Sequence, residues 1–425
     1  MVASSIGSAL RFDSSIGLTF ARPAQTSAAP ATGDMERPIE PAIWASEPRS
    51  MMVMPNVSAC GVIAPLNASA AASPEPEITA MMKGPNAPAI FATDSEPFIA
   101  SIRASVSPMA VIPAVKTAAD APTVMLTAHM DCVEPCANIK PIVEDGVIRS
   151  DGTTILGADD KAGVAAILET LRCLKEQNLP HGDLQIVFTV AEEGGVNGSR
   201  CLDTALLHAD FGYTLDTHGH AGTAAFKAPG KNQLAVRIIG KAAHAGIDPE
   251  AGENAITAAG RVLTAVPQGR IDAETTCNVG KIAGGTATNV VAEFCTLDFE
   301  TRSRDKGKLD ALTQRMVDAI HGALEGTGCR AEIEIKKDYD PYELPADALP
   351  IRYLRRAAEK CNFPVVLEEE GGGSDANHFN AYGVPTTVLG VGMTDCHTKE
   401  ESILVQDLYD AAELTLAIVQ EVARG

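Results

Sequence analysis

Past residue 121 the chain repeats one arrangement that leaves few folds open: an apolar run of strand type stops at a carboxylate or an imidazole, and a helical pattern follows. Residues 124–128 and 184–190 are two of these runs. Behind Asp159, the residues Val164, Ile167, Leu168, Leu171 and Leu174 fall on one helical stripe. A closing helix from about 406 to 423 repeats the device with Leu408, Ala411, Ala412, Thr415, Val419 and Val422. Strands alternating with helices predict an α/β sheet. From 229 to 337 the order changes to strand (233–239), helix (254–266), strands (276–282 and 294–301), helix (308–324) and strand (330–336). That β-α-β-β-α-β order predicts a ferredoxin-like α+β unit inserted between two parts, 113–228 and 338–425, of one catalytic domain.

Residues 1–112 obey no such rule. They hold 13 of the 26 prolines and 8 of the 12 methionines, and prolines from Pro38 to Pro108 interrupt every window in which three helical turns could form. The expectation there is an atypical low-complexity N-terminal region. Charge narrows function further. With 34 Lys and Arg against 55 Asp and Glu, the net charge of −21 repels nucleic acid and anionic membrane and favours cations. No apolar run of about 18 residues and no basic leader with an apolar core are seen, so a cytoplasmic protein is expected. The 10 cysteines are scattered and read as reduced packing residues; Cys132 and Cys136 lack the second pair that a zinc knuckle needs.

The strand ends carry the chemistry. Leu126-Thr-Ala-His129-Met-Asp131 sets a histidine and an aspartate two apart, and strand period places both side chains on one face. One can bind metal while the other accepts the imidazole's second N–H and fixes its tautomer. A surface pair would look the same, but ligands of α/β sheets gather beyond the carboxyl ends of strands. Gly157-Ala-Asp159-Asp160-Lys161-Ala-Gly163 opens the first helix. A helix cap accounts for one aspartate. Two adjacent ones exceed that need, and a carboxylate in a tight turn can bridge cations about 3.5 to 4 Å apart. Phe188-Thr-Val-Ala-Glu192-Glu193-Gly-Gly ends a strand with two acids, enough for one to ligate metal and one to take a proton from water, although a solvated loop explains them too. Tyr213-Thr-Leu-Asp216 and Asp395-Cys-His397-Thr-Lys-Glu400 complete the strand-associated acids and imidazoles.

Taken in order, His129-x-Asp131, Gly-Ala-Asp159-Asp-Lys-Ala-Gly, Glu192-Glu193, Asp216 and His397-Thr resemble the co-catalytic zinc peptidases that include peptidase T, the bacterial glutamate carboxypeptidases and the aminoacylases. Ala-Asp-Asp-Lys-Ala-Gly and the closing His-Thr-x-Glu-Glu are like peptidase T; the carboxypeptidase branch usually carries Asp-Met-Lys-Gly. The resemblance covers about 113–425. It implies a zinc-peptidase domain with a ferredoxin-like lid and dimerisation unit at 229–337, two zinc ions per chain (cobalt or manganese being admissible), and a homodimer. The implied reaction is hydrolysis of amide bonds in short peptides, in the manner of a tripeptide aminopeptidase, by a water bridging the two zincs.

The same resemblance makes His129, Asp159 and Asp216 ligands of one zinc, and Asp159, Glu193 and His397 ligands of the other. Asp131 then orients His129, and Glu192 is the general base that activates water and later protonates the leaving amine. His244, in Ala242-Ala243-His244-Ala245-Gly246, is similar to the histidine that reaches across a dimer interface to stabilise the oxyanion. Asn289 and Arg302 resemble the residues that hold the substrate's far end, often a carboxylate, a task suited to Arg's bidentate fork. Gly372 and Gly373, in Gly371-Gly-Gly-Ser374-Asp375, match a glycine-rich turn beside the substrate backbone; no Gly-Lys-Ser/Thr follows, so this is not a phosphate loop.

Two alternatives stand beside this reading. An N-acyl amino-acid amidohydrolase would share every metal ligand and differ only in its pocket. Residues 1–112 also lack the helix and strand pair with which that family begins its sheet, which leaves open an inactive peptide-binding protein.

Overall fold

The computed structural model describes residues 110–112 and 121–425; the rest of the region expected to be low-complexity lies outside the described residues. In chain order the elements used below are β1 (Ala110–Ile112), β2 (Val124–His129), β3 (Ile142–Glu144), β4 (Val147–Arg149), α1 (Ala158–Glu176), β5 (Leu184–Thr189), β6 (Phe211–Thr217), β7 (Thr223–Ala228), β8 (Gly230–Ile239), α2 (Ala255–Ala265), β9 (Gly269–Asp272), β10 (Thr275–Gly284) and β11 (Phe294–Ser303). They continue with α3 (Lys306–Leu324), β12 (Arg330–Tyr339), β13 (Tyr342–Glu343), α4 (Leu349–Cys361), β14 (Val366–Glu369), α5 (Asp375–Ala381), β15 (Thr386–Gly390), β16 (Met393–Thr394), β17 (Ser402–Leu404) and α6 (Val405–Arg424).

The larger sheet has eight strands in the order β1-β5-β2-β6-β15-β7-β13, with β14 beside β7. Neighbours β5, β2, β6 and β15 are parallel, so Thr189, His129, Thr217 and Gly390 all end on one side of the sheet. Every residue of β2 and β5 is buried, because helices cover both faces. Leu126, Ala128, Ile186 and Phe188 share a core with Ile167 and Leu171 of α1 and Ile418 and Val419 of α6. Met125 and Val187 point the other way, into a cluster with Phe379 of α5. Coverage on both sides is why these strands read as continuous apolar runs instead of alternating ones. Each fully buried Leu or Ile of the α1 stripe contributes about 1.5–3 kcal/mol, which outweighs the helix's modest intrinsic propensity. β1 pairs antiparallel with β5 at the sheet edge, so the sheet extends a few residues before position 113.

Residues 230–339 form a second, wholly antiparallel sheet in the order β12-β8-β11-β10-β9. Its first four members have the strand order of a split ferredoxin-like unit, and α2 and α3 cover one face through Leu234, Val236, Ile238, Leu297, Val262 and Met316. The edge strand β9 was not expected: four residues are too few to show a period, and its turn depends on the Asp272 carboxylate accepting the Glu274 N–H at 2.9 Å. A third sheet, β16-β17-β4-β3, was equally illegible. Its β16–β17 hairpin carries the loop that holds His397. Among the described residues no helix is long and apolar enough to cross a membrane.

Candidate metal centre

The parallel strands deliver the acids and imidazoles to one place. His129, the last residue of β2, has Nε2 2.9 Å from Asp159 Oδ1 and 3.6 Å from Asp216 Oδ1. His397, after β15, has Nε2 3.2 Å from Asp159 Oδ2 and 2.9 Å from Glu193 Oε2. The two oxygens of Asp159 therefore face different partners, one towards His129 and Asp216, the other towards His397 and Glu193. His129, Asp159 and Glu193 offer donor atoms within 4.8 Å of one another, and so do His129, Asp160 and Asp216.

The paired aspartates divide the two readings between them. Asp160 does the cap's work: Oδ1 accepts the Gly163 N–H at 3.1 Å, and Oδ2 accepts the His129 N–H at 3.1 Å, which locks α1 to the end of β2. Asp159 is left to the cluster, with its backbone at φ −79°, ψ 105°, outside helical geometry. Gly163 is required here, since a Cβ would lie 2.3 Å from the Leu215 carbonyl oxygen. Glu401 holds the turn from the far end of the chain; its carboxylate accepts the N–H of Gly157 at 2.6 Å and of Asp159 at 3.0 Å. Sequence reasoning met Glu401 only as the last residue of the closing His-Thr-x-Glu-Glu and gave it no role, because an acid in a loop just before a strand carries no signal of what it holds.

Asp131 meets His129 and does more besides. His129 Nδ1 bonds to the Asp131 carbonyl oxygen at 3.1 Å, with the carboxylate 3.6 Å away. That carboxylate accepts the N–H groups of Glu192 and Glu193, each at 3.1 Å, and so clamps the turn bearing both glutamates. Burial opposes its ionisation, but His129 and these amides hold the Asp131 carboxyl below its usual range.

The donor set fits cations. Asp159, Asp160, Glu192, Glu193 and Asp216 crowd around two imidazoles, and among the described residues no Lys or Arg ion-pairs with any of them. Glu193 Oε1 is buried without a hydrogen-bond partner. Burial, reinforced by Asp159, pushes Glu193 up to about 7. Burial, countered by His129 and aided by Asp159, lifts Asp216 to about 6. Burial and then Asp216 raise Glu192 well above the carboxylate range. The hydrogen bond to Asp159 and the nearby Glu193 raise His397 to about 9. Carboxylates raised by burial and by one another, beside an imidazole raised by those carboxylates, mark an excess of negative charge that a cation would relieve.

The residues expected to grip substrate are less gathered. His244 and Asn289 are exposed and meet each other through backbone, Ala245 N–H donating to the Asn289 carbonyl at 3.0 Å; none of His244's described contacts reaches the cluster. Arg302 is tied to Glu300. Gly372 stands in the open, whereas a Cβ on Gly373 would lie 2.3 Å from the Tyr339 ring, so the close approach demands glycine. Tyr339, another residue missed from sequence, stands in the electrostatic field of both Arg302 and Glu192. Behind the glycine turn, buried Asp375 bonds to the Thr189 hydroxyl, and His378 Nδ1 meets Ser199 Oγ at 2.9 Å.

The sequence profile of peptidase family M20/M25/M40 matches residues 125–421. Uncharacterized protein YqjE of Bacillus subtilis (strain 168) is 42% identical over 302 residues, spanning 71% of this chain and 81% of that protein. Among solved structures, the aminopeptidase PepT from Bacillus cereus ATCC 10987 matches with a TM-score of 0.68 at 41% identity, over 74% of this chain and 84% of that one. A tripeptidase from Staphylococcus aureus subsp. aureus mu50 matches with a TM-score of 0.70 at 36% identity, over 78% and 92%. A carboxylate that faces two imidazoles beyond the ends of parallel strands, in a chain matched along most of its length in this way, places the protein in peptidase family M20/M25/M40. Within that family it is a metallopeptidase of the peptidase T kind, an enzyme of metal-dependent peptide hydrolysis.

Proposed function

We propose that the chain is a tripeptide aminopeptidase that holds two zinc ions, one between His129, Asp159 and Asp216 and the other between Asp159, Glu193 and His397. The observation that carries this reading is the Asp159 carboxylate, whose Oδ1 and Oδ2 face the two imidazoles at 2.9 and 3.2 Å. Mixed imidazole and carboxylate ligands suit zinc. When bound, such a pair would supply the polarisation of an amide carbonyl and the acidification of water that amide hydrolysis needs at neutral pH. Glu192 accepts the proton of the attacking water and returns it to the departing amine. Burial makes it basic enough for that exchange. Asp131 holds the Glu192 backbone still while the side chain works.

The unit at 229–337 serves as lid and dimerisation surface. It exposes Ile247, Ile256, Ile282 and Val290 at 77%, 44%, 54% and 37%, apolar side chains that a second copy would cover, and two of them, Ile247 and Val290, meet His244 through backbone. His244 then completes the partner's centre. Buried thiols such as Cys173 and Cys277 suit the reducing cytoplasm.

Metal content and hydrolysis of an unblocked tripeptide test the reading, with an N-acyl amino acid as the competing substrate. Two zincs per chain and preference for the free amine support it. In Glu192→Gln, kcat should fall about 10²–10⁴-fold with metal retained. Preference for the acylated compound would move the enzyme to the amidohydrolases.

A further inference from the structure

The guanidinium of Arg302 is only half used. Nε donates to Glu300 Oε1 at 3.0 Å and one terminal nitrogen donates to Oε2 at 3.2 Å, so one edge of the planar fork is filled. Among the described residues the other terminal nitrogen has no hydrogen bond, and the side chain keeps 28% exposure. Glu300 is itself anchored, with Lys231 Nζ 3.6 Å from its Oε2. Lys231 Nζ also lies 3.3 Å from Asp338 Oδ2, which accepts from Gln233 Nε2 at 2.6 Å. The ladder thus runs Asp338, Lys231, Glu300, Arg302 across β12, β8 and β11, where Lys231 is the register partner of both Arg302 and Tyr339.

Two contacts join this ladder to the glycine turn and the helix behind it. The Asp338 carbonyl bonds to His378 Nε2 at 3.1 Å, in the helix that follows the glycine turn. Tyr339 next to it packs over Gly373. The ladder that holds Arg302 therefore backs onto the glycine turn.

We infer that Glu300, braced by Lys231, is a positioning residue that fixes the plane of Arg302 and leaves its open edge for the C-terminal carboxylate of the peptide. The inference rests on the proposed peptidase function and on the role that the family resemblance implies for Arg302, holding the carboxylate at the substrate's far end, and adds what aims it. A guanidinium held along one edge has lost its rotational freedom before substrate arrives, so binding spends less on ordering it. A second bidentate pair then forms along the remaining N–H groups.

The test compares a tripeptide with its C-terminal amide on the metal-loaded full chain, in wild type, Glu300→Ala, Glu300→Gln and Arg302→Ala. In Glu300→Ala the KM for the free acid should rise about tenfold with kcat changed less than about twofold, and KM for the amide should move little. Glu300→Gln keeps one acceptor and should fall between wild type and Glu300→Ala, with a melting curve that excludes misfolding. A KM that rises equally for acid and amide would reduce Glu300 to a structural residue and overturn the inference. A KM for the acid that falls would overturn it the other way, by making Glu300 a competitor of the substrate. Should Arg302→Ala leave the acid-to-amide ratio unchanged, the underlying role of Arg302 fails; should it erase the ratio while Glu300→Ala does not alter it, only the role of Glu300 fails.

Discussion

The metal centre and the inserted unit are built on opposite plans. The centre is gathered from segments far apart in the chain: Asp159 is gripped by Glu401 across 242 positions, and His129 meets Asp160 across 31. Residues 230–339 form their own sheet, helices and core from one continuous stretch. A change in the centre disturbs several remote segments together, whereas a change in the unit stays local. The difference teaches where chemistry and where substrate tuning reside. Four substitutions measure it.

The largest effect should come from Asp159→Asn. It leaves the shape but removes the charge shared by both imidazole sides, and metal analysis should show loss of bound metal together with nearly all peptidase activity. Retention of two metals would break the idea of a shared bridge. Next is Glu401→Gln, remote in sequence from the Asp159 turn it holds and fully buried. Removing its charge weakens both backbone hydrogen bonds to the Asp159 turn. Metal affinity should fall about 10–100-fold by competition with a chelator.

Third is a matched pair of glycines. Gly163→Ala drives a Cβ to 2.3 Å from the Leu215 carbonyl oxygen, so chemical denaturation should report a loss of roughly 2–4 kcal/mol. Gly260→Ala, on the exposed face of α2 with nothing within 4 Å of its Cβ, should instead stabilise by about 0.5–1 kcal/mol. Equal signs at the two positions would remove the contrast between the densely determined centre and the locally determined unit.

Much of this was legible beforehand. The strand and helix runs after residue 121, the ferredoxin-like order and the seven residues His129, Asp131, Asp159, Glu192, Glu193, Asp216 and His397 could be named, because apolar periodicity and donor groups at strand ends leave marks within a few residues. What Asp131 holds was not legible: spacing shows that it shares a face with His129, yet its carboxylate turns to the amides of Glu192 and Glu193. Nor was the division of labour between Asp159 and Asp160, since both are the same residue type in the same turn. What Glu401, Tyr339 and Glu300 hold was not legible either, since Glu401 and Tyr339 meet remote segments and Glu300 is braced by Lys231 on β8.

By itself, then, the sequence determined which side chains can carry the reaction and which stretches become strands and helices, since donor chemistry and hydrophobic period are properties of neighbouring residues. Only the tertiary structure decided which oxygen faces which imidazole, which aspartate is a cap, and which edge of Arg302 stays open. Those choices depend on the angles and ångström-scale distances at which remote segments meet. Such distances follow from packing across the whole sheet.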